Sequence, residues 1–492
     1  MNSSRNIKIA LCLLAVLLAT KNLFSLRGLN RLREEHRITH LEKPLENAPP
    51  MLAFSTLALG GFRGLIANYL WIRANALHNE GRYFETLTLA GWITQLQPRI
   101  SDVWEYQAWN MAYNISREFD DPEERWMWID SGIRLLRDEA LRYNPQEPDL
   151  YRELAWFYED KFGQTLDEEH RFYKVKLATD MVKLFGRKPD YAALLDPQTD
   201  EARATVERMK KEFNLDPAWM AEVDREYGPF DWRLPEAHAV YWASLGLKRA
   251  RVDEDVIILR RTIWQSMHAA FKHGRLIENQ FTRTLDFGPN MDLLVKTHET
   301  FVSLKAAEAE EGDQEMVDYV GRAHLSFLSD AVFFLFGYNR IGDANFWFQR
   351  MKELYPHASP KGETVNDFAV RRVTDMVKDG NRDRVVAIIE GYLNTAYYNM
   401  VIGEEEDGTK SMLMAMTVHK AYHGRIYGQS RLQLPDIEKM KATVANAILN
   451  GENPAFTLDM RAVFAAMAGR ELKLTQEELD RLKAREEAEK NR

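Results

Sequence analysis

Two pairs of histidines stand at helical spacing, His36/His40 and His419/His423. On a helix an i, i+4 pair puts two imidazoles on one face, where they can share a metal ion. Glu35 or Glu42 can add a carboxylate to the first pair. Both pairs lack the general base of a zinc peptidase, because Arg37 and Lys420 occupy the glutamate position of H-E-x-x-H. They read as surface or packing histidines, with no metal and no cofactor. Residues 228–243 (GPFDWRLPEAHAVYWA) form the most unusual local cluster. Asp231, Trp232, Arg233, His238 and Trp242, with Glu236 and Tyr241, offer a carboxylate, a guanidinium, an imidazole and an aromatic wall. That set can hold a polar ligand such as a sugar or a peptide terminus. It also serves as a lock, in which Asp231 and Arg233 tie a loop down while the aromatics pack on the next helix. Carboxylate pairs carry no information in a chain with 74 acidic residues. Glu153, Glu159 and Glu236 sit near aromatics, as an acid for glycan cleavage does, but nothing singles one out. Phosphate-loop, nucleophile-elbow and dinucleotide glycine patterns do not occur, and the chain reads as a non-enzyme.

The elements that position these residues are helices, and their spacing repeats. Gly81, Tyr83 and Pro98 stand as the turn glycine, second-helix aromatic and closing proline of a helical hairpin. The next unit opens with Trp104 and Ala108 and closes with Ala140 and Pro145. A third follows with Tyr151, Leu154, Ala155 and Tyr158. Small residues let the helices of a hairpin approach, large ones fill the gap between hairpins, and proline ends the second helix. Trp242, Leu245 and Gly246 repeat the opening, with a second helix over Asp253–Lys272, and Ala344, Phe348 and Pro356 echo it again. This pattern resembles the tetratricopeptide-repeat superfamily. Its opening block (LALGGFRGLIANYLWIRA, WITQLQP, VWEYQAWNMAYNIS) is similar to uncharacterised membrane-anchored repeat proteins of bacteria. Two repeat-defining alanines are replaced, by Thr86 and Ile133. The resemblance implies an all-α, TPR-like right-handed helical-hairpin solenoid with irregular insertions. It further implies a groove, lined by first helices, that binds a protein or peptide partner. The candidates for that groove are Tyr69, Arg73, Tyr106, Asn110, Asn114, Arg152 and Trp156, interleaving aromatics with Arg and amides as a peptide-binding face requires.

The chain is organised around these repeats. Residues 1–24 hold the uninterrupted apolar run Ile9–Ala19, flanked by Arg5, Lys8 and Lys21, and read as an N-terminal transmembrane helix or signal-anchor. Residues 25–50 are a charged, proline-containing linker, and 51–185 the N-terminal array. Proline breaks 186–236 into a helical spacer, 237–474 hold degenerate helical repeats, and 475–492 are a charged tail. Met51–Trp71 is apolar too, but Arg63 and three glycines favour a buried or membrane-surface helix. The acidic runs Glu308–Asp313 and Glu404–Asp407 read as solvated loops. No stretch alternates long enough for a substantial sheet.

Composition narrows the function. A net charge of -9 with no basic stripe excludes a nucleic-acid binder. The single cysteine, Cys12, lies in the apolar run, so the body has no disulfide, cysteine–zinc site or thiol nucleophile. Cysteine avoidance fits an oxidising compartment. The expectation is a single-pass protein of the bacterial inner membrane with its body in the periplasm. It serves as a scaffold or adaptor for an unknown envelope protein or peptide in an assembly or transport system. Two alternatives stand beside it: a helical enzyme or ligand-binding protein acting on envelope glycans, and a cytoplasm-facing adaptor.

Overall fold

Short polar caps, often followed by proline, set the helix starts. Asp121 accepts from the backbone N–H groups of Glu123 and Glu124, with Pro122 in the first helical turn. Asp216 does the same through Ala218, ahead of Pro217. A cap oxygen satisfies a donor that has no partner inside the helix, and proline there lacks only an N–H that is unpaired anyway. Asn214, Gly312 and Gly469 end their helices in the left-handed conformation.

The structure is a computed structural model. It describes residues 62–163, 167–282, 284–338, 340–377, 382–425, 433–472 and 474, with Lys21, Gly28, Arg31 and Leu32. Apart from those isolated positions, the anchor, the linker, His36/His40 and the tail lie outside the described residues. Helix dominates the described residues, which makes the protein all-α. Among them, no helix is long and apolar enough to cross a membrane.

The chain divides into two units, Met1–Val103 and Trp104–Arg492. In the first, α1 (Phe62–Asn79) and α2 (Tyr83–Leu96) form a hairpin. Its turn holds Gly81 at φ 74, a conformation that a side chain disfavours. Ala67, Ile93 and Val103 make a small core. Thr86, at a repeat-alanine position, is fully buried, and its hydroxyl donates to the Arg82 carbonyl at 3.0 Å.

The second unit begins within the first of three helices that each run on into a wider π-helical turn. These are α3 (Ser101–Trp109) into Asn110–Asn114, α4 (Pro122–Arg134) into Leu135–Ala140, and α5 (Pro148–Trp156) into Phe157–Phe162. There follow α6 (His170–Phe185), α7 (Tyr191–Leu195), α8 (Asp200–Phe213), α9 (Pro217–Glu226), α10 (Pro235–Leu247) and α11 (Asp253–His273). One core joins them. The repeat-signature residues Trp104, Ala108, Ala140, Tyr151, Leu154, Ala155 and Tyr158 are buried in it, together with Ile133. Leu194, Met209 and Met220, from the proline-broken stretch 186–236, lie in the same core.

A two-stranded antiparallel ribbon, β1 (Arg275–Glu278) with β2 (Leu285–Gly288), precedes the remaining helices. These are α12 (Leu294–Glu311), α13 (Gln314–Gly337), α14 (Ile341–Leu354), α15 (Val365–Val377), α16 (Arg382–Ile402), α17 (Glu405–Arg425), α18 (Ile437–Leu449) and α19 (Leu458–Ala468). Successive helices pack pairwise, α12 on α13, α13 on α14 and α16 on α17. Each acidic run is mostly helical and largely exposed to solvent, but hides one carboxylate. Glu308 lies inside α12, buried and paired with Arg260 at 3.3 Å, and Asp407 is buried in α17 against Arg275 and Tyr338. Opposite charges brought from distant positions draw these carboxylates in, which a local reading of charge does not see.

Helix α10 packs on both α5 and α11, and Gly246 sets how closely. A Cβ there comes within 2.9 Å of the Tyr151 Cβ and 3.0 Å of a Leu259 methyl. Gly246→Ala is therefore expected to lower stability by about 1–3 kcal/mol in urea or thermal denaturation, as overpacking does. The matched control Gly342→Ala, which meets nothing within 4 Å, is expected to leave stability unchanged or slightly raised.

Candidate functional site

The π turn of α5 turns all of its side chains, Phe157 to Phe162, inward. Three of them are Glu159, Asp160 and Lys161, so a short run of charge lies within the core and must find partners there. Asp160 accepts a hydrogen bond from the Tyr113 hydroxyl at 3.0 Å, reaching the π turn of α3. Lys161 donates to Asp167 at 2.6 Å and lies 5.0 Å over the Tyr113 ring. Asp167 also takes Arg125 at 3.5 Å and the Tyr173 hydroxyl at 3.3 Å. Burial works to raise the Asp167 carboxyl, but the Lys161 hydrogen bond and the nearby cations outweigh it and hold it low. Burial lowers the Lys161 ammonium, with Asp167 opposing. Glu159 lies apart from this pairing: its Oε2 has no hydrogen-bond partner among the described residues, and burial pushes its carboxyl up to about 8.

Above this network two indoles reach the surface. Trp109, the last residue of α3, is 38% exposed, and Trp156, the last of α5, is 39% exposed. Trp109 stacks on Tyr113 at 5.8 Å, Tyr113 meets Phe157 edge-on at 5.6 Å, and Trp156 lies beside the Tyr113 hydroxyl. Tyr113 thus links the surface indoles to the buried charges. Glu153 flanks this ledge, its carboxyl raised to about 7 by burial, with Arg152 opposing.

The groove candidates divide between the two units. Tyr69, 69% exposed, and the exposed Arg73 stand on α1, on the face that also exposes Phe62, Leu65 and Ile72. In the second unit Trp156 belongs to the ledge, and Arg152 stands one turn before it, paired with Asp149 at 2.6 Å. Tyr106 and Asn114 are half-buried. Asn110 is fully buried and accepts from the Asn114 amide at 2.9 Å, so it offers a partner no surface. The widened turn carries it inward.

Residues 231–242 are packed as a lock. Trp232, His238 and Trp242 are buried. Trp232 donates from its indole to Asp224 at 2.8 Å, and the same carboxylate accepts from the Tyr191 hydroxyl and the Phe230 backbone. His238 donates from Nε2 to the Trp232 carbonyl at 3.0 Å and stacks on Tyr158, and burial lowers it to about 4. Asp231 and Arg233 form a two-pronged ion pair, and Asp231 also accepts from the backbone N–H of Leu276 where the ribbon starts. Glu236 pairs with Lys174 at 3.3 Å, both side chains almost wholly buried. This side of the molecule is a junction between α5, α6, α9 and α10.

His419 and His423 stand 4.5 Å apart, and His419 donates to the Pro435 carbonyl. Among the described residues no group of three or more His, Cys, Asp or Glu is placed to hold a metal ion. Tyr113, Asp160, Lys161 and Trp109 are the site residues that periodicity missed. Phe157 and Phe162 were the available signal, since aromatics five apart share a face only on a widened turn. No protein-family model matches the chain, and no characterised protein matches it in sequence.

The raised Glu159 carboxyl gives a testable pH dependence. The folded protein keeps a proton that the unfolded chain releases near 4.5, so this contribution to stability is complete below that pH. It is lost as pH rises through about 8. Glu159→Gln, which mimics the protonated acid, is expected to melt with the parent near about pH 5 and increasingly above it toward about pH 9. A constant difference in Tm across the range would contradict the assignment.

Proposed function

We propose that this protein is a membrane-anchored, TPR-like helical scaffold that holds a protein partner in a bacterial envelope assembly or transport system, without catalysing a reaction. In this reading the apolar run Ile9–Ala19 is the single-pass anchor, and the absence of cysteine after Cys12 supports a periplasmic body. The observation that carries the reading is the ledge. Two half-exposed indoles, one at the end of each of two helices, stand on a tyrosine whose hydroxyl is held by a buried carboxylate. Tryptophan, tyrosine and arginine dominate binding hot spots, and an aromatic held in place before binding loses little entropy on contact. Arg152, paired with Asp149 at the rim, adds a guanidinium, a hot-spot group, beside the indoles.

The test is a crosslinked pull-down of the full-length protein from native membranes, repeated with Trp109→Ala, Trp156→Ala and Arg152→Glu. A stoichiometric partner is expected. Its affinity should fall roughly 30-fold or more with each tryptophan variant, the cost of removing a hot-spot side chain of about 2 kcal/mol or more. A partner retained at full occupancy by the double tryptophan variant would overturn the reading, as would a repeated failure to capture any protein.

A further inference from the structure

A half-open cavity of ≈ 330 Å³ lies where strand β2, helices α16 and α17 and the loop before α19 meet. Lys410 is the cation in its wall. Its ammonium lies 4.6 Å over the ring of Phe334 and 4.6 Å over that of Tyr338, and it makes no hydrogen bond or ion pair among the described residues. Asp407, the carboxylate whose charge reaches it, is occupied: Tyr338 donates to one of its oxygens and Arg275 to the other. Burial lowers the Lys410 ammonium, as expected of a cation short of acceptors. An ammonium has three N–H donors and no acceptor, so a desolvated one calls for an acceptor from the cavity side.

Asp286, the second carboxylate in the wall, accepts from Arg171 at 3.0 Å and from the Phe287 backbone N–H at 2.9 Å, and most of the remaining polar groups are donors. Tyr398 already accepts from the Asn279 amide at 2.5 Å, which leaves its own proton to give. The Asn399 side chain has no partner among the described residues. Asn453 donates to Asn394 at 2.8 Å and Asn394 donates to the Glu390 carbonyl at 2.9 Å, so each amide keeps one N–H free. Phe287 supplies a flat apolar wall. The volume is at the small end of the roughly 300–1,000 Å³ typical of ligand pockets. One cation beside two carboxylates that are already paired, surplus hydroxyl and amide donors, an aromatic face and room for about one ring together specify the ligand class.

We propose that this cavity binds a small hydroxylated carboxylic acid of the sugar-acid type, with Lys410 taking the carboxylate and Tyr398 and Asn399 the hydroxyl oxygens. The site lies apart from the Trp109–Trp156 ledge and does not depend on the partner reading. Titration calorimetry of the full-length protein in detergent, with D-glucuronate, D-glucose and inorganic phosphate, tests it. Saturable glucuronate binding is expected, roughly tenfold or more tighter than glucose, the value of one charge-assisted hydrogen bond. Lys410→Met, which keeps the chain against Phe334 and Tyr338, should weaken glucuronate by about tenfold or more with glucose little changed. Asn399→Asp, which sets a carboxylate against the ligand, should weaken it as well and keeps the test decisive if the lysine variant fails to fold. Absence of saturable glucuronate binding, equal affinity for glucose, or binding unchanged in both variants would overturn the proposal. Phosphate binding as tightly as glucuronate would also overturn it, making the cavity a simple anion site.

Discussion

The constraint on which the second unit depends is that one helical turn, Phe157–Phe162, has no solvent face. A regular helix of this kind would leave at least one of three consecutive charged residues outside. Here Glu159, Asp160 and Lys161 all turn inward, and charges in a low-dielectric interior are tolerable only when paired or neutralised. The surrounding helices supply the answers. The end of α3 brings Tyr113 to Asp160, the start of α4 brings Arg125, and Asp167 waits just before α6 for Lys161. Glu159 remains without a full set of partners and is held as the acid.

The same packing produces the surface. Because Tyr113 is fixed from below by Asp160, it offers a firm base to Trp109 and Trp156. The junction at 231–242 closes the other side of α5. There His238 stacks on Tyr158, and the Lys174–Glu236 pair is buried across α6 and α10. Breaking such a pair by removing one partner typically costs about 3–5 kcal/mol, so the junction is a strong determinant of how α5, α6 and α10 sit together. A polar core of this sort fixes one arrangement of helices where a purely apolar one admits several.

Much of this was legible in the residues. Gly81 marks a real left-handed turn, the signature residues Trp104, Ala108, Ala140, Tyr151, Leu154, Ala155 and Tyr158 are buried, and Gly246 is a point of close helix approach. Those features depend on size and backbone conformation, which single residue types declare. Asp231–Arg233 and the buried aromatics beside them follow from the same local chemistry. The π turns were not legible from a 3.6-residue period, which places Asn110 outward and splits the charges of Glu159–Lys161 between faces. The short ribbon at 275–288 escaped as well, since four-residue strands are too brief to show alternation. Nor could the burial of Glu308 and Asp407 be read from their charge runs, because their partners Arg260 and Arg275 lie far away in sequence.

The direct test of the central claim, that the buried network holds the surface ledge in place, is amide hydrogen exchange on the full-length protein and on Tyr113→Phe. Losing the hydroxyl leaves Asp160 buried without its donor. Exchange is therefore predicted to speed up together in residues 108–116 and 150–162, while α16 to α19 keep their protection. Unchanged exchange around Trp109 and Trp156, or a uniform loss across the whole chain, would contradict the account.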